Sequence, residues 1–410
     1  MSAGAGEQRL KATPTLAPSD AEALAEAVRG LAARGEAALV CGASTELPQG
    51  NLPRRADMRL STAALCGIDI LDADEGVVYV AAGTPVATLR EAARREGLDV
   101  PLDPPSAAST VGGALAAAAL GPRVLGYGRA RDQVLGLEVV LGSGERTRCG
   151  GRVVKNVTGY DLAKLYVGSH GTLCVIAHAW LRLRPLPEAM SVVAAPLAAG
   201  QDAFAAALVA ARLPGVRAVA LVDEQLASEL GTGFPAPSRA GFLLVVELAS
   251  DAPVVAQTAA ALVAHHGAAL APDAAMDAVA ALEGAAGGSL HAGSLRLRVT
   301  VRPSRLAAAY APLKQSGAAI VTHPGLGLLC ARFALVPDAG AARIEAALAA
   351  ARAAARAGEG SALLAAAPAF AREGRDVFGE PPAALALMRR LKSELDPKGV
   401  LNPGLFVGGI

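Results

Sequence analysis

Residues 150–187 read GGRVVKNVTGYDLAKLYVGSHGTLCVIAHAWLRLRPLP, and the fold turns on how this stretch is understood. It opens with the pair Gly150-Gly151 and crosses a polar turn, Lys155 to Asp161. A short helical piece follows, then a second glycine turn, Gly168-Ser169-His170-Gly171. A strand from Thr172 to Leu183 closes it, stopped by Pro185 and Pro187. Glycine is used where backbone must approach another group closely or adopt a positive φ. Either turn alone reads as a tight bend before a core strand. Two of them flanking one buried strand describe a surface that lies against something flat and polar.

Outward from this stretch, composition narrows the class. A chain of 410 residues suits two domains. With 53% hydrophobic and 18% charged residues it can bury a sizeable core and is not a disordered chain. Lys and Arg number 38 against 37 Asp and Glu, a net charge of +1, so neither nucleic acid nor an anionic membrane is expected as a partner. The five cysteines contain no C-x-x-C pair, which argues against a zinc or iron–sulfur site and for reduced thiols. The N-terminal segment has no apolar h-region, and charged residues and glycines interrupt the alanine-rich runs. Neither a signal peptide nor a membrane span is expected.

Residues 1–18 read as a loose arm. Ser19-Asp20-Ala21-Glu22 is a capping box for a helix to about Arg34. Strands at 37–41 and 77–81, a helix opened by Thr84-Pro85, an alanine-rich helix after Thr110 closed by Gly121-Pro122, and a hairpin over 134–149 complete an α+β domain, 19–187. After Pro187 strand–helix–strand units predict a second α+β domain, 188–370, an antiparallel sheet with helices on one face. Residues 371–410 hold a helix from Ala384 to Glu394, with Leu385, Met388, Leu391 and Leu395 as a core-facing stripe, then a rigid Pro/Gly turn that returns to the first domain.

The chain lacks a G-x-G-x-x-G after a strand, a P-loop, an H-E-x-x-H and a G-x-S-x-G. What it has instead is separated small-residue turns at 42–45, 109–113, 159–161 and 168–172. A pyrophosphate needs backbone N–H donors at close range, which glycine, serine and threonine permit. Thr110 to Gly113 at a helix mouth is the best single candidate, and Thr172 to Ile176 could offer strand-edge backbone groups to a base such as adenine. Four such turns without a Rossmann pattern suggest a long dinucleotide laid along a cleft.

The strings KNVTGYDLAKLYVGSHGTLCVI (155–176), PPSAASTVGGALAAA (104–118) and LKSELDPKGVLNPG (391–404) resemble the signatures of flavoproteins with the PCMH-type FAD-binding fold. Within that family, Gly150 to Asp161 and GYGRARDQVLG (126–136) are similar to the FAD-binding E subunits of bacterial glycolate oxidases. The resemblance implies a two-part FAD-binding domain, a cap domain and a C-terminal segment packing back on the FAD domain. It implies non-covalent FAD, with Gly42, Ala43, Ser44 and Thr45 as the pyrophosphate loop. Pro105 counts among the cofactor-binding positions, and Ser109, Thr110, Gly112 and Gly113 would hold the pyrophosphate and flavin. Gly171, Val175 and Ile176 would flank the adenine half, and Asn402 would sit near the isoalloxazine.

The sequence departs from that family in two places. Its pyrophosphate loop keeps only Gly42, and Cys174 stands where the signature has glycine. The family's catalytic members carry an H-x-G-D-G-N-x-H strand and a later E-H-G. Here the matching strand reads His323-Pro324-Gly325-Leu326-Gly327-Leu328-Leu329, and no E-H-G follows. No catalytic residue is therefore assigned. His323 reads as structural and His265-His266 as solvated. His170 could touch the cofactor but reads as exposed. The implied function is an FAD-dependent oxidoreductase subunit of a glycolate (2-hydroxy acid) oxidising complex. Its implied partners are a catalytic flavoprotein and an iron–sulfur subunit. It would be cytoplasmic, with any inner-membrane association peripheral and through the complex. Two alternatives stay open, a stand-alone FAD-dependent 2-hydroxy acid dehydrogenase and a cofactor-free structural subunit.

Overall fold

The computed structural model describes residues 13–45, 47–152, 160–198, 201–230, 233–237, 241–267, 269–271, 275–283, 294–335 and 340–410. Of the polar turn at 155–161 only Tyr160 and Asp161 fall within these; the rest of that motif lies outside the described residues. The chain forms two compact units. One comprises the chain up to Leu120, Arg129–Leu186 and Ala369–Ile410; the other comprises Gly121–Gly128 and Pro187–Pro368. The excursion 121–128 corrects the expectation of an unbroken first domain. Its reason is a buried ion cluster. Arg123 donates to both carboxylate oxygens of Glu247, and Arg217 Nε donates to Glu247 Oε1 at 2.5 Å. The guanidinium of Arg217 also lies 5.7 Å from the centre of the Tyr127 ring.

The strands of the first unit are β1 (Thr15–Leu16), β2 (Ala38–Cys41), β3 (Met58–Ser61), β4 (Ile68–Asp72), β5 (Val77–Ala81), β6 (Leu98–Asp99), β7 (Val134–Leu141), β8 (Arg146–Gly150), β9 (Cys174–Arg182) and β10 (Arg184–Pro185). A parallel sheet has the order β1-β3-β2, and an antiparallel sheet the order β4-β5-β9-β7-β8. The helix Ala21–Arg34 covers the smaller sheet. Asp20, rather than Ser19, caps it by accepting from the Ala23 N–H at 2.8 Å, and Gly35 at φ 65° ends it. Its Leu24, Val28 and Leu31 are fully buried with Leu60 of β3 and Val175 of β9. Each such burial stabilises by about 2 kcal/mol of transfer free energy.

Two local expectations are corrected. The alanine-rich helix spans only Val111–Ala116, not the run to Gly121. Its last carbonyls are claimed by the second glycine turn: Gly168 N–H donates to Leu115 O at 3.0 Å and His170 N–H to Ala116 O at 2.8 Å. Ala118 then turns left-handed at φ 46°. The C-terminal helix is Leu385–Leu395, but none of its residues is fully buried. Leu395 packs at the edge of the core, and beside it the Lys392 ammonium donates to Thr172 O, Leu401 O and Asp396 Oδ2, so polar anchoring adds to the apolar stripe there.

The second unit carries β11 (Ala189–Leu197), β12 (Val216–Asp223), β13 (Phe242–Ser250), β14 (Ala269–Ala271), β15 (Ser294–Thr300), β16 (Ala319–His323), β17 (Leu328–Ala334) and β18 (Ser361–Ala366) in one antiparallel sheet ordered β14-β11-β13-β12-β16-β17-β15-β18. Its helices are not confined to one face. Phe204 and Tyr310, from helices Gln201–Ala210 and Leu306–Gln315, pack on Phe242. Leu226 and Met276 belong to helices Glu224–Ala227 and Ala275–Glu283 and pack on Leu243 and Val245, which point the other way along β13. The central strands are apolar on both faces, so both need cover. Among the described residues no helix is long and apolar enough to cross a membrane.

Candidate functional site

In the first unit the turn after β2, the start of helix Val111–Ala116, the second glycine turn and the C-terminal tail converge on one cleft. It has about 460 Å³ of open space and is lined in part by Gly42, Ala43, Ser44, Thr45, Thr110, Gly113 and His170. Helix geometry places Thr110 there. Thr110 is the N-cap, and its Oγ1 accepts the Gly113 N–H at 3.2 Å. A Cβ added at Gly42 would stand 2.3 Å from that same Oγ1. The loop and the cap can touch only because position 42 is glycine. Ser109 lies buried behind the lining, its hydroxyl 3.0 Å from that of Thr45.

Three residues around the cleft hold the left-handed conformation without being glycine: Ser44 at φ 64°, His170 at 53° and Asn402 at 45°. Such conformations cost on the order of 1–3 kcal/mol each and persist only where surrounding contacts enforce them. The enforcement is visible. Arg59 of β3 donates to Ser44 Oγ at 3.0 Å and approaches Cys41 Sγ at 3.4 Å. Asn402 Oδ1 accepts the Val40 N–H at 2.7 Å, and its Nδ2 donates to His170 O at 2.8 Å. The His170 ring stacks on Phe406 at 5.0 Å and meets Phe378 edge-on at 5.2 Å. Below the glycine turn, burial pulls the Lys392 ammonium below its ordinary range while the Asp396 carboxylate pulls it back up.

The chemistry of this donor set suits a diphosphate. The N–H groups of Gly42, Ala43 and Ser44 carry no hydrogen bond among the described residues. Successive amides ending in a left-handed residue form a concave anion nest. A hydroxyl from Ser44 and a guanidinium behind it add donors of the right sign. The residues present therefore fit the phosphate part of a dinucleotide.

Of the positions singled out by sequence, Gly42, Ala43, Ser44, Thr45, Thr110 and Gly113 line the cleft, and Ser109 supports it. Others sit elsewhere. Gly112 faces the end of β5: its N–H donates to Ala82 O at 2.7 Å, and an added Cβ would lie 2.7 Å from the Ala82 Cβ. Its N–H is already engaged, and its lack of a side chain lets the helix start pack on Ala82. Val175 and Ile176 point into two separate apolar clusters on opposite faces of β9. Their side chains are core, which leaves only their backbone for a ligand. Pro105 is not among the lining residues. Gly171, at φ 66°, backs onto Asn402. The Asn402 amide is anchored at both ends, to Val40 and His170, so this residue shapes the wall of the cleft.

His170 is half-buried and lines the cleft, which corrects its reading as exposed. Cys174 is buried in the apolar core with its thiol pushed up by burial. His323 is buried, its Nδ1 3.1 Å from Val219 O. Arg59 carries no motif signal and emerges only because β3 runs parallel beside β2. Among the described residues no group of three or more His, Cys, Asp or Glu could hold a metal.

Residues 13–150 match the family described as FAD binding domain, and residues 379–405 the family described as FAD linked oxidases, C-terminal domain. D-lactate dehydrogenase of Archaeoglobus fulgidus is 37% identical over 187 residues, which is 46% of this chain and 42% of that protein. Glycolate oxidase subunit GlcE of Escherichia coli is 40% identical over 125 residues, 30% of this chain and 36% of that one. Glycolate oxidase subunit GlcD of Bacillus subtilis is 38% identical over 148 residues, 36% of this chain and 32% of that one. These matches thus span well under half the length of the relatives. A solved alkyldihydroxyacetonephosphate synthase superposes with TM-score 0.70 at 17% identity, covering 95% of this chain and 75% of the other. That likeness shows a shared fold and nothing about activity.

Proposed function

We propose, for a chain that carries the FAD binding domain and the C-terminal domain of the FAD linked oxidases, that it is a subunit of a 2-hydroxy acid oxidising complex of the glycolate oxidase kind. The observation that carries the reading is the amide nest Gly42–Ser44, held open by Arg59 and facing Thr110 across the cleft. The likeness to glycolate oxidase subunits supports the choice of complex. A catalytic flavoprotein and an iron–sulfur subunit would be its partners. The domain limits are proposed as 19–187 for the FAD part, 188–370 for the cap and 371–410 for the returning segment, with 121–128 assigned to the cap.

In this reading the amides of Gly42, Ala43 and Ser44 and the hydroxyls of Ser44 and Thr110 bind the pyrophosphate of a non-covalently held FAD. Arg59 offsets its charge, and His170 with Phe406 closes the apolar side of the cleft. Bound FAD supplies a two-electron acceptor for oxidation of a C–H bond next to a hydroxyl. The strand at His323 lacks the paired histidines of the catalytic members, so substrate deprotonation is assigned to a partner.

The test is the visible spectrum of the chain expressed alone and with its partners, after addition of FAD. Flavin absorbance that co-elutes with the chain supports the reading, and a colourless chain overturns it. A second reading, a stand-alone dehydrogenase, is favoured by the likeness to D-lactate dehydrogenase. Turnover of D-lactate or glycolate by the single chain would select it.

A further inference from the structure

We propose that Asn51 and Asp376 are positioning residues for the cofactor and act through the imidazole of His170, on which a planar ring of the cofactor stacks. The proposal rests on the FAD reading of the cleft. Three aromatic rings gather there, and that of His170 forms part of the cleft lining. The other two back it. Phe406 stacks on His170 with ring centres 5.0 Å apart, Phe378 meets His170 edge-on at 5.2 Å, and the two phenyl rings meet edge to face at 5.0 Å. All three residues are only half-buried.

Two polar side chains 325 positions apart hold the backing rings. Asp376 Oδ1 accepts the Phe378 N–H at 3.0 Å and Asn51 Nδ2 at 3.3 Å, and its Oδ2 accepts the Gly408 N–H at 2.6 Å. Asn51 Nδ2 also donates to Phe406 O at 2.9 Å, and Asn51 Oδ1 accepts the Val377 N–H at 2.7 Å. The Asn51 N–H donates to Leu405 O at 2.9 Å. Backbone at or beside both phenylalanines is thereby fixed. Bonds to a carboxylate are stronger than neutral ones, and Asn51 is buried, where polar contacts are shielded from water. Asp376, Phe378 and Phe406 lie outside the two segments that match known families.

Core packing does not account for this arrangement. A polar knot serving the core alone would fix rings that are buried, whereas these stay partly open. His170 also holds φ 53°, a conformation that is strained for a residue with a side chain and free for glycine. Its N–H is tied to Ala116 O and its carbonyl to Asn402 Nδ2, so the strain is enforced from both sides. The result is a heteroaromatic ring set firmly against the cleft. An amide nest cannot tell one diphosphate from another. A fixed ring beside it adds preference for a ligand that carries a planar group of its own.

The test is a double-mutant cycle on FAD affinity in the full chain, read by flavin fluorescence. H170G should weaken FAD by about threefold to tenfold, the range of one aromatic stack. H170F, which keeps a ring at the same backbone angle, should stay within about twofold of the parent. D376N turns one acceptor oxygen into a donor and should weaken FAD by a similar factor, but add nothing in the H170G background, because both changes act through one ring. F378L removes a backing ring and leaves the polar knot intact. It should show the same dependence on His170, and it decides the matter if D376N does not fold. A purely structural role predicts factors that multiply. Multiplying factors, equal FAD affinity in H170G and the parent, or a loss in H170F as large as in H170G overturns the proposal. A parent chain that binds no FAD overturns the FAD reading and this inference with it, whereas a parent that binds FAD with multiplying factors overturns the inference alone.

Discussion

The side chain of Asn402 donates to the carbonyl of His170 at 2.8 Å, joining two residues 232 positions apart that both hold a left-handed backbone. The same amide accepts the Val40 N–H, so one side chain ties the C-terminal tail to β2 and to the second glycine turn. Asn402 is 2% exposed, and both of these bonds are shielded from water. The cleft keeps its shape through this clamp.

Replacing Asn402 by alanine should therefore leave two backbone groups unpaired and force a β-carbon without a polar group into φ 45°. A loss of about 2–4 kcal/mol is expected from two unsatisfied partners. Asn402→Gly removes the side chain but tolerates the backbone, and should lose less. Denaturant unfolding of both variants checks the order, and FAD affinity should fall in step with the lost clamp.

Gly112→Ala tests the packing role of that glycine. The added methyl would meet Ala82 Cβ at 2.7 Å and Ala82 O at 3.0 Å. Overpacking of this kind costs about 1–3 kcal/mol. The prediction is a lower thermal midpoint in protein that has never seen flavin. An unchanged midpoint with selectively lost flavin would put Gly112 back in the cofactor site.

Arg59→Gln removes a charge that sits behind Ser44 without filling the core. FAD affinity should drop by about tenfold, in line with one charge-assisted contact. Riboflavin, which has no phosphate, should bind the variant and the parent equally. Fluorescence quenching titrations with the two ligands make the comparison. Equal losses for both would mean that Arg59 acts on the loop and not on the phosphates.

Glu138 gives a pH prediction. It is nearly buried on the sheet face of β7, and burial alone would raise its carboxyl. Donors from Arg146, Tyr79 and Arg148 outweigh burial and hold it down at about 2. A folded-state value below the unfolded one adds stability above the unfolded carboxylate range, lost as pH falls toward 2. Glu138→Gln should flatten the acid limb of the stability curve between about pH 4.5 and 2, measured by urea unfolding at stepped pH. An unchanged acid limb would show that the network carries no net pH dependence.

Much of this protein was legible in its residues. The first helix was expected from a cap at Ser19–Glu22 to about Arg34, and the small-residue turns at 42–45 and 109–113 were found before the cleft that unites them. These are local signals: caps, periodicities and the steric freedom of glycine act within a few residues of where they are written. What only the tertiary structure decided was direction and partnership. Gly112 and Gly113 are neighbours in one motif, yet one turns to Ala82 and the other to the cleft. Arg59 has no motif and reaches Ser44 because two parallel strands lie side by side. Arg296 and Arg332 oppose one another only in the register of a sheet whose strands are far apart in the chain. Contacts of that kind depend on packing between distant segments, and no short-range pattern encodes where a side chain will point once those segments meet.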